Sequence, residues 1–234
     1  MDEMQLLSNL KEIYRKMAHA AMRAGREPSE VRLIAVTKHV NIDAIRKAVN
    51  TGLRAFGENR VQEAKGKLMS DELRVMSEKI EWHLIGHLQK NKVKTAVELF
   101  DMIQSVDSLE LAVLLDKYAG ETGKKQKIMI QVKLSDEESK YGILKEYLIE
   151  VLSGIRHLCN LHVEGLMTIP PYFEDPERAR PFFRELRQLK DMAEQAGFRL
   201  PELSMGMSND FEVAIEEGAT MVRIGTAIFG ERSY

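Results

Sequence analysis

Between residues 33 and 228 short apolar runs alternate with amphipathic stretches, and this alternation restricts the possible folds more than any other feature of the chain. The apolar runs are Leu33–Lys38 (LIAVTK), Arg54–Asn59 (RAFGEN), Ile80–Gly86 (IEWHLIG), Met102–Val106, Lys127–Leu134 (KIMIQVKL), His162–Ile169 (HVEGLMTI), Leu203–Met207 (LSMGM) and Met221–Ile228 (MVRIGTAI). LIAVTK sets the type: short, branched and apolar between polar flanks, the pattern of a strand buried on both faces. Every run but the last is followed by a helical pattern. Asn41 and Asp43 open the first of these helices, the second starts near Arg60, Asp107 or Ser108 caps the fourth, and Leu88–Phe100, Gly142–Leu158, Pro176–Ala196 and Asn209–Glu217 span the others. The Pro176–Ala196 helix should turn Phe182, Phe183, Leu186, Leu189 and Met192 inward. Alternating units of this kind demand parallel strands with right-handed crossovers, and eight strands are the number that closes a barrel. The expected fold is therefore α/β, a (β/α)8 TIM barrel. A doubly wound open sheet is the alternative, since it carries the same alternation. An extra helix precedes the first strand, with Leu6, Leu10, Ile13, Tyr14 and Met17 at helical spacing and Gly25 and Pro28 ending it.

No linker, repeat or low-complexity run divides residues 1–234, so one domain is expected. Ser70–Lys79, Ser135–Tyr141 and Pro170–Pro176 are the segments expected to be mobile. The 34 Lys+Arg against 36 Asp+Glu leave a formal charge of -2, which gives no general attraction to nucleic acid or anionic membrane. The amphipathic start is neither a signal peptide nor a membrane span. Cys159, the only cysteine, excludes an internal disulfide and a multi-cysteine metal site. It should be a small buried helix residue in a protein of a reducing, cytoplasmic compartment.

In a barrel the chemistry lies at the C-terminal ends of the strands. Lys38 ends the first run, where partial desolvation favours a neutral amine able to attack a carbonyl. The seventh loop, Ser204-Met205-Gly206-Met207-Ser208, and the eighth, Arg223-Ile224-Gly225-Thr226, combine glycines with hydroxyls next to helix starts, which suits a phosphate. His83 and His87 belong to a strand and to the turn after it, not to one helix, so a metal site is not indicated and hydrogen-bonded or ring-facing roles are. Lys90, Lys92 and Lys94 read as a solvated helix face. An amine and a phosphate site across one barrel mouth call for a phosphorylated aldehyde. Pyridoxal 5'-phosphate fits both ends; a phosphosugar with an aldolase-type lysine is the alternative.

Seven stretches, in order along the chain, then carry a resemblance: LIAVTK, FGENRVQEAKGK at Phe56–Lys67, WHLIGHLQKNKVK at Trp82–Lys94, SVDS at Ser105–Ser108, GLMTIP at Gly165–Pro170, LSMGMSND at Leu203–Asp210 and VRIGTAIFGER at Val222–Arg232. The sequence resembles the pyridoxal phosphate homeostasis protein family, single-domain relatives of the alanine racemase barrel. The resemblance implies that Lys38 is the Schiff-base lysine and that Ser204, Gly206, Gly225 and Thr226 hold the phosphate. It implies that Arg223 faces the pyridine nitrogen and keeps it unprotonated, because neighbouring positive charges repel. Asn59 becomes a polar cofactor partner, and Met167 packs near the cofactor. Alanine racemases add a C-terminal β domain that completes their active site, whereas this chain ends at Tyr234, just past the eighth strand. The expected role is thus a non-catalytic monomer that buffers pyridoxal phosphate or delivers it to apo-enzymes, affecting amino-acid pools. A weak racemase is the alternative.

Overall fold

The computed structural model describes residues 2–74, 80–135, 137 and 140–230. Parts of two segments expected to be mobile, residues 75–79 and 136, 138 and 139, lie outside the described residues, as does Arg232 of the last motif. Helix α1 (Glu3–Arg23) leads, and its Asp2 side chain accepts the Gln5 N–H as a cap. Strands β1 (Arg32–Val36), β2 (Ala55–Glu58), β3 (Glu81–Leu84), β4 (Met102–Val106) and β5 (Gln126–Lys133) follow. A two-residue strand, β6 (Ile143–Leu144), pairs with β5. Strands β7 (Leu161–Met167), β8 (Glu202–Ser204) and β9 (Met221–Ile224) complete the sheet. All pairings are parallel in the order β4-β3-β2-β1-β9-β8-β7-β5, and β4 also pairs with β5, so eight strands close on themselves. That closure decides for the (β/α)8 barrel against the open sheet.

The helices between strands are α2 (Ile42–Asn50), α3 (Val61–Leu68), α4 (Asp71–Arg74), α5 (Val93–Leu99), α6 (Leu109–Glu121), α7 (Leu148–Ile155), α8 (Arg180–Gln195) and α9 (Phe211–Glu216), with α10 (Thr226–Phe229) after β9. Asn41 caps α2 through Ala44 N–H, and Ser108, rather than Asp107, caps α6 through Leu111 N–H. One large apolar cluster fills the space between helices and sheet; a smaller one of Ile34, Met102, Met129, Met167 and Met221 sits apart from it. The members of the smaller cluster come from five strands, which places it inside the barrel.

Several boundaries differ from the sequence expectation, each for a local reason. The last run is strand only to Ile224, because Gly225 opens α10. The stretch beginning at Gly142 is not helical at its start: Gly142 has φ +135°, Ile143 and Leu144 join the sheet, and α7 begins at Leu148. Helix α5 starts only at Val93, and Lys90 and Lys92 lie in the preceding 3-10 turn. Tyr14 and Met192 are exposed. Tyr14 flanks the buried stripe of α1, and Ala193 takes the inward position expected of Met192. Cys159 is also exposed, since α7 ends four residues earlier at Ile155. Among the described residues no helix is long and apolar enough to cross a membrane.

Candidate functional site

Lys38 stands two residues beyond the end of β1, and its immediate neighbours are fixed by a buried ionic cluster. Lys67, on α3, donates through Nζ to Thr37 O at 2.6 Å and to Glu58 Oε1 and Glu63 Oε1 at 2.7 Å each. Thr37 Oγ1 donates to the same Glu58 Oε1 at 2.6 Å, and His39 N–H donates to Glu63. His39 has φ +59°, the single left-handed non-glycine among the described residues. The backbone on either side of Lys38 is thus tied to two carboxylates. Burial pushes the Glu58 carboxyl up, against the pull of Lys67. At Glu63 burial acts the same way, but Lys67 and the His39 N–H outweigh it and hold the group low.

Lys38 and Asn59 open onto a cavity of about 250 Å³ at the C-terminal end of the barrel. Val36, Ile85, Ile169 and Met207 give it apolar walls, and Arg223, Gly225, Thr226, Ser208, Asn209, Asp210 and Tyr172 supply polar groups. Close approach of the loops depends on glycine. A Cβ on Gly86 would stand 2.3 Å from Asn59 O, so only glycine lets the loop after β3 lie against Asn59. Gly206, at φ +93°, would place a Cβ 2.6 Å from that of Ala214. The loop after β8 is joined to β9 by Arg223 N donating to Gly206 O at 2.9 Å, and to the turn after β9 by Gly225 N donating to Ser208 Oγ at 3.4 Å.

Arg223 is buried, and among the described residues no carboxylate is hydrogen-bonded to it. Its Nη1 donates to Ser204 Oγ at 2.6 Å and its Nη2 to Thr168 O at 2.8 Å. Burial lowers its pKa to about 10, with Asp210 opposing, so it remains a cation near neutral pH. Asp210 is raised by burial, opposed by the Met207 N–H that its Oδ1 accepts at 2.6 Å and by Arg223.

Of the residues singled out in the sequence, Lys38, Asn59, Arg223, Gly225 and Thr226 line this cavity together. Met167 lies in the cluster inside the barrel, and Ser204 and Gly206 sit behind the cavity wall, bonded to Arg223. Ser208, read in the sequence as a hydroxyl of the seventh loop, lines it too, with Asn209 and Tyr172, which were not singled out; LSMGMSND contained Asn209, while no signal marked Tyr172. His83 is fully buried on β3, and His87 is exposed, stacked on Tyr141 with ring centroids 3.8 Å apart. Among the described residues no group of three or more His, Cys, Asp or Glu could hold a metal.

The site can be compared with known proteins. Residues 7–233 match the family described as "Alanine racemase, N-terminal domain". The pyridoxal phosphate homeostasis protein of Aquifex aeolicus (strain VF5) is 44% identical over 232 residues, 99% of this chain and 100% of that protein. A crystal structure of an unknown protein from Bifidobacterium adolescentis has a TM-score of 0.91 at 36% identity, covering 98% of this chain and 97% of that one. PipY of Synechococcus elongatus PCC7942, solved with PLP bound, has a TM-score of 0.80 at 40% identity, covering 93% of this chain and 100% of that one. This chain belongs to the pyridoxal phosphate homeostasis protein family, within the wider alanine racemase N-terminal domain family.

Proposed function

We propose that this protein binds pyridoxal 5'-phosphate as a Schiff base on Lys38 and acts in vitamin B6 homeostasis, buffering the cofactor or delivering it. The observation that carries the reading is the convergence of one lysine amine, one buried arginine and two hydroxyl-bearing loops on a single cavity with apolar walls. This donor set fits the group: an amine for an aldehyde, apolar walls for a ring, and hydroxyls with backbone N–H groups for a phosphate. When bound, pyridoxal phosphate supplies an aldehyde that condenses with amines and a ring that withdraws electrons. The chain's residues do the rest. The Lys67 cluster orients the Lys38 amine, and Arg223 offers a permanent cation to the ring nitrogen and keeps protons off it. Asn59 lends an uncharged polar contact. Thr226, Gly225 and Ser208 supply donors for the phosphate, and Ser204 and Gly206 act from behind as the supports of that wall. Met167 closes the barrel beneath.

A holding role, without a catalytic residue, is supported by the name that the relatives carry. The same reading makes residues 1–234 one domain, working as a monomer in the cytoplasm and passing cofactor to apo-enzymes. The single exposed thiol, Cys159, suits a reducing compartment. Weak amino-acid racemisation is the second reading, favoured by Tyr172, whose phenol lines the cavity and could carry a proton. Absorbance of the purified protein before and after borohydride tests the main reading. A visible band that borohydride converts into a fixed adduct on Lys38 is the expected result. Retention of the same band in Lys38→Ala would sink it. Chiral analysis after long incubation with alanine separates holding from racemisation, and light scattering tests the monomer.

A further inference from the structure

The interior of the barrel contains a line of buried polar side chains that runs on from Arg223 and Ser204 to two residues the cofactor reading does not use, Gln104 and His83. Arg223 Nη1 donates to Ser204 Oγ at 2.6 Å, Ser204 Oγ donates to Gln104 Oε1 at 2.6 Å, and Gln104 Nε2 reaches His83 Nδ1 at 2.7 Å. The other ring nitrogen, His83 Nε2, lies 3.3 Å from Glu81 Oε1, near enough for attraction but off the line of a hydrogen bond. His83, Gln104 and Ser204 are fully buried, and the line crosses the barrel from β3 and β4 to β8 and β9.

Its arginine end fixes its direction. A guanidinium can only donate, so a chain that passes one hydrogen on at each link runs outward from Arg223. Ser204 receives from Arg223 and must send its own proton onward. Gln104 must then turn its carbonyl to Ser204 and its amide N–H to His83. His83 must accept at Nδ1 and carry its hydrogen at Nε2, facing Glu81. Gln104 Nε2 also faces two weak acceptors, Met221 Sδ at 3.6 Å and Met102 Sδ at 4.0 Å, which suits the amide N–H on that side. A second anchor, Thr168 O, is itself held by Thr168 Oγ1 donating to Val132 O at 2.8 Å. Arg223 is therefore gripped at both terminal nitrogens, one of them through a chain that ends on the far side of the barrel.

We propose that Ser204, Gln104 and His83 are positioning residues for Arg223, a one-way hydrogen-bond chain that decides which guanidinium N–H groups are left to face the cofactor ring. The proposal rests on the reading that the cavity holds pyridoxal phosphate. It gives Ser204 the support of an arginine as its work, in place of direct contact with a phosphate, and it gives His83 a role that is neither catalytic nor metal-binding. Groups of this kind act by holding a first contact within the narrow range of geometry that its ligand needs.

The test uses the full chain with nitrogen-15 in arginine. In the cofactor-free protein, Arg223 should show separate, slowly exchanging Nη signals. Gln104→Leu and His83→Phe should merge them, while His83→Gln, which keeps an acceptor, should restore them. Titration with pyridoxal phosphate should give roughly tenfold weaker retention in Gln104→Leu, the scale of one lost hydrogen bond to a charged group. Separate Nη signals surviving in both Gln104→Leu and His83→Phe would overturn the proposal. So would merged signals with unchanged retention, or a lower melting temperature with both readouts intact. If Gln104→Leu does not fold, the His83→Phe and His83→Gln pair decides alone. If the unaltered protein takes up no pyridoxal phosphate, the reading of the cavity fails, and the nitrogen-15 result still decides whether the chain holds Arg223.

Discussion

At the scale of the residue, Lys38 depends on a second lysine. Lys67 satisfies three acceptors at once, and Glu58 keeps its other oxygen, Oε2, buried without a partner. Removing the ammonium leaves two carboxylates beside each other with no cation between them, and breaking a buried pair in this way costs about 3–5 kcal/mol. Lys67→Met should therefore lower the unfolding free energy from urea titration by that order and slow the capture of cofactor by Lys38. Lys67→Met combined with Glu58→Gln should recover part of the stability, because the uncompensated charge goes with it; a double variant no more stable than the single one would refute the ionic account. Half of this cluster was legible. Glu63 and Lys67 stand four apart on one helix, a spacing that pairs them. Glu58 was not, since its place beside Lys67 comes from the strand's packing against α3, which no local pattern encodes.

Among the elements, the loops after β8 and β9 carry the site wall. Their glycines and hydroxyls were readable, but which serine faces the cavity was not. Ser204 and Ser208 are four residues apart, and the point at which β8 ends decides between them: Ser204 is the last strand residue and turns into the barrel, whereas Ser208 belongs to the loop. Gly206 makes the turn possible. Gly206→Ala meets both the unfavourable φ of +93° and the Ala214 Cβ at 2.6 Å, so a loss of about 1–3 kcal/mol is expected from strain at such a position. Thermal unfolding measures it, and cofactor retention should fall with it as the loop moves off Arg223. An unchanged melting temperature would show that the loop relaxes freely.

The whole molecule is held at its lower end by charges that only closure brings together. Arg32 on β1 lies 3.5 Å from Glu81 on β3 and 3.0 Å from Glu202 on β8. The His83 ring lowers the Glu81 pKa from 4.5 to about 2, against burial, with Arg32 and Lys127 adding to it. A carboxyl held low in the folded state stabilises it above the unfolded pKa, and that contribution is lost as pH falls through the folded value. Stability should therefore decline between about pH 4.5 and pH 2, and Glu81→Gln should flatten the decline in urea titrations across that range. An equally steep decline in the variant would assign the effect to other carboxylates. What the sequence determined alone was the alternation of elements, the number of strands, the lysine at the first strand's tip and the glycine loops at the last two, because each is a pattern within a few consecutive residues. Only the tertiary structure decided that the sheet closes, that Lys67 flanks Lys38, and that a polar chain runs from Arg223 to His83. Closure and the polar chain pair residues far apart in sequence and exist only once the barrel has an inside, and Lys67 reaches the backbone beside Lys38 only through the packing of α3 on the first two strands.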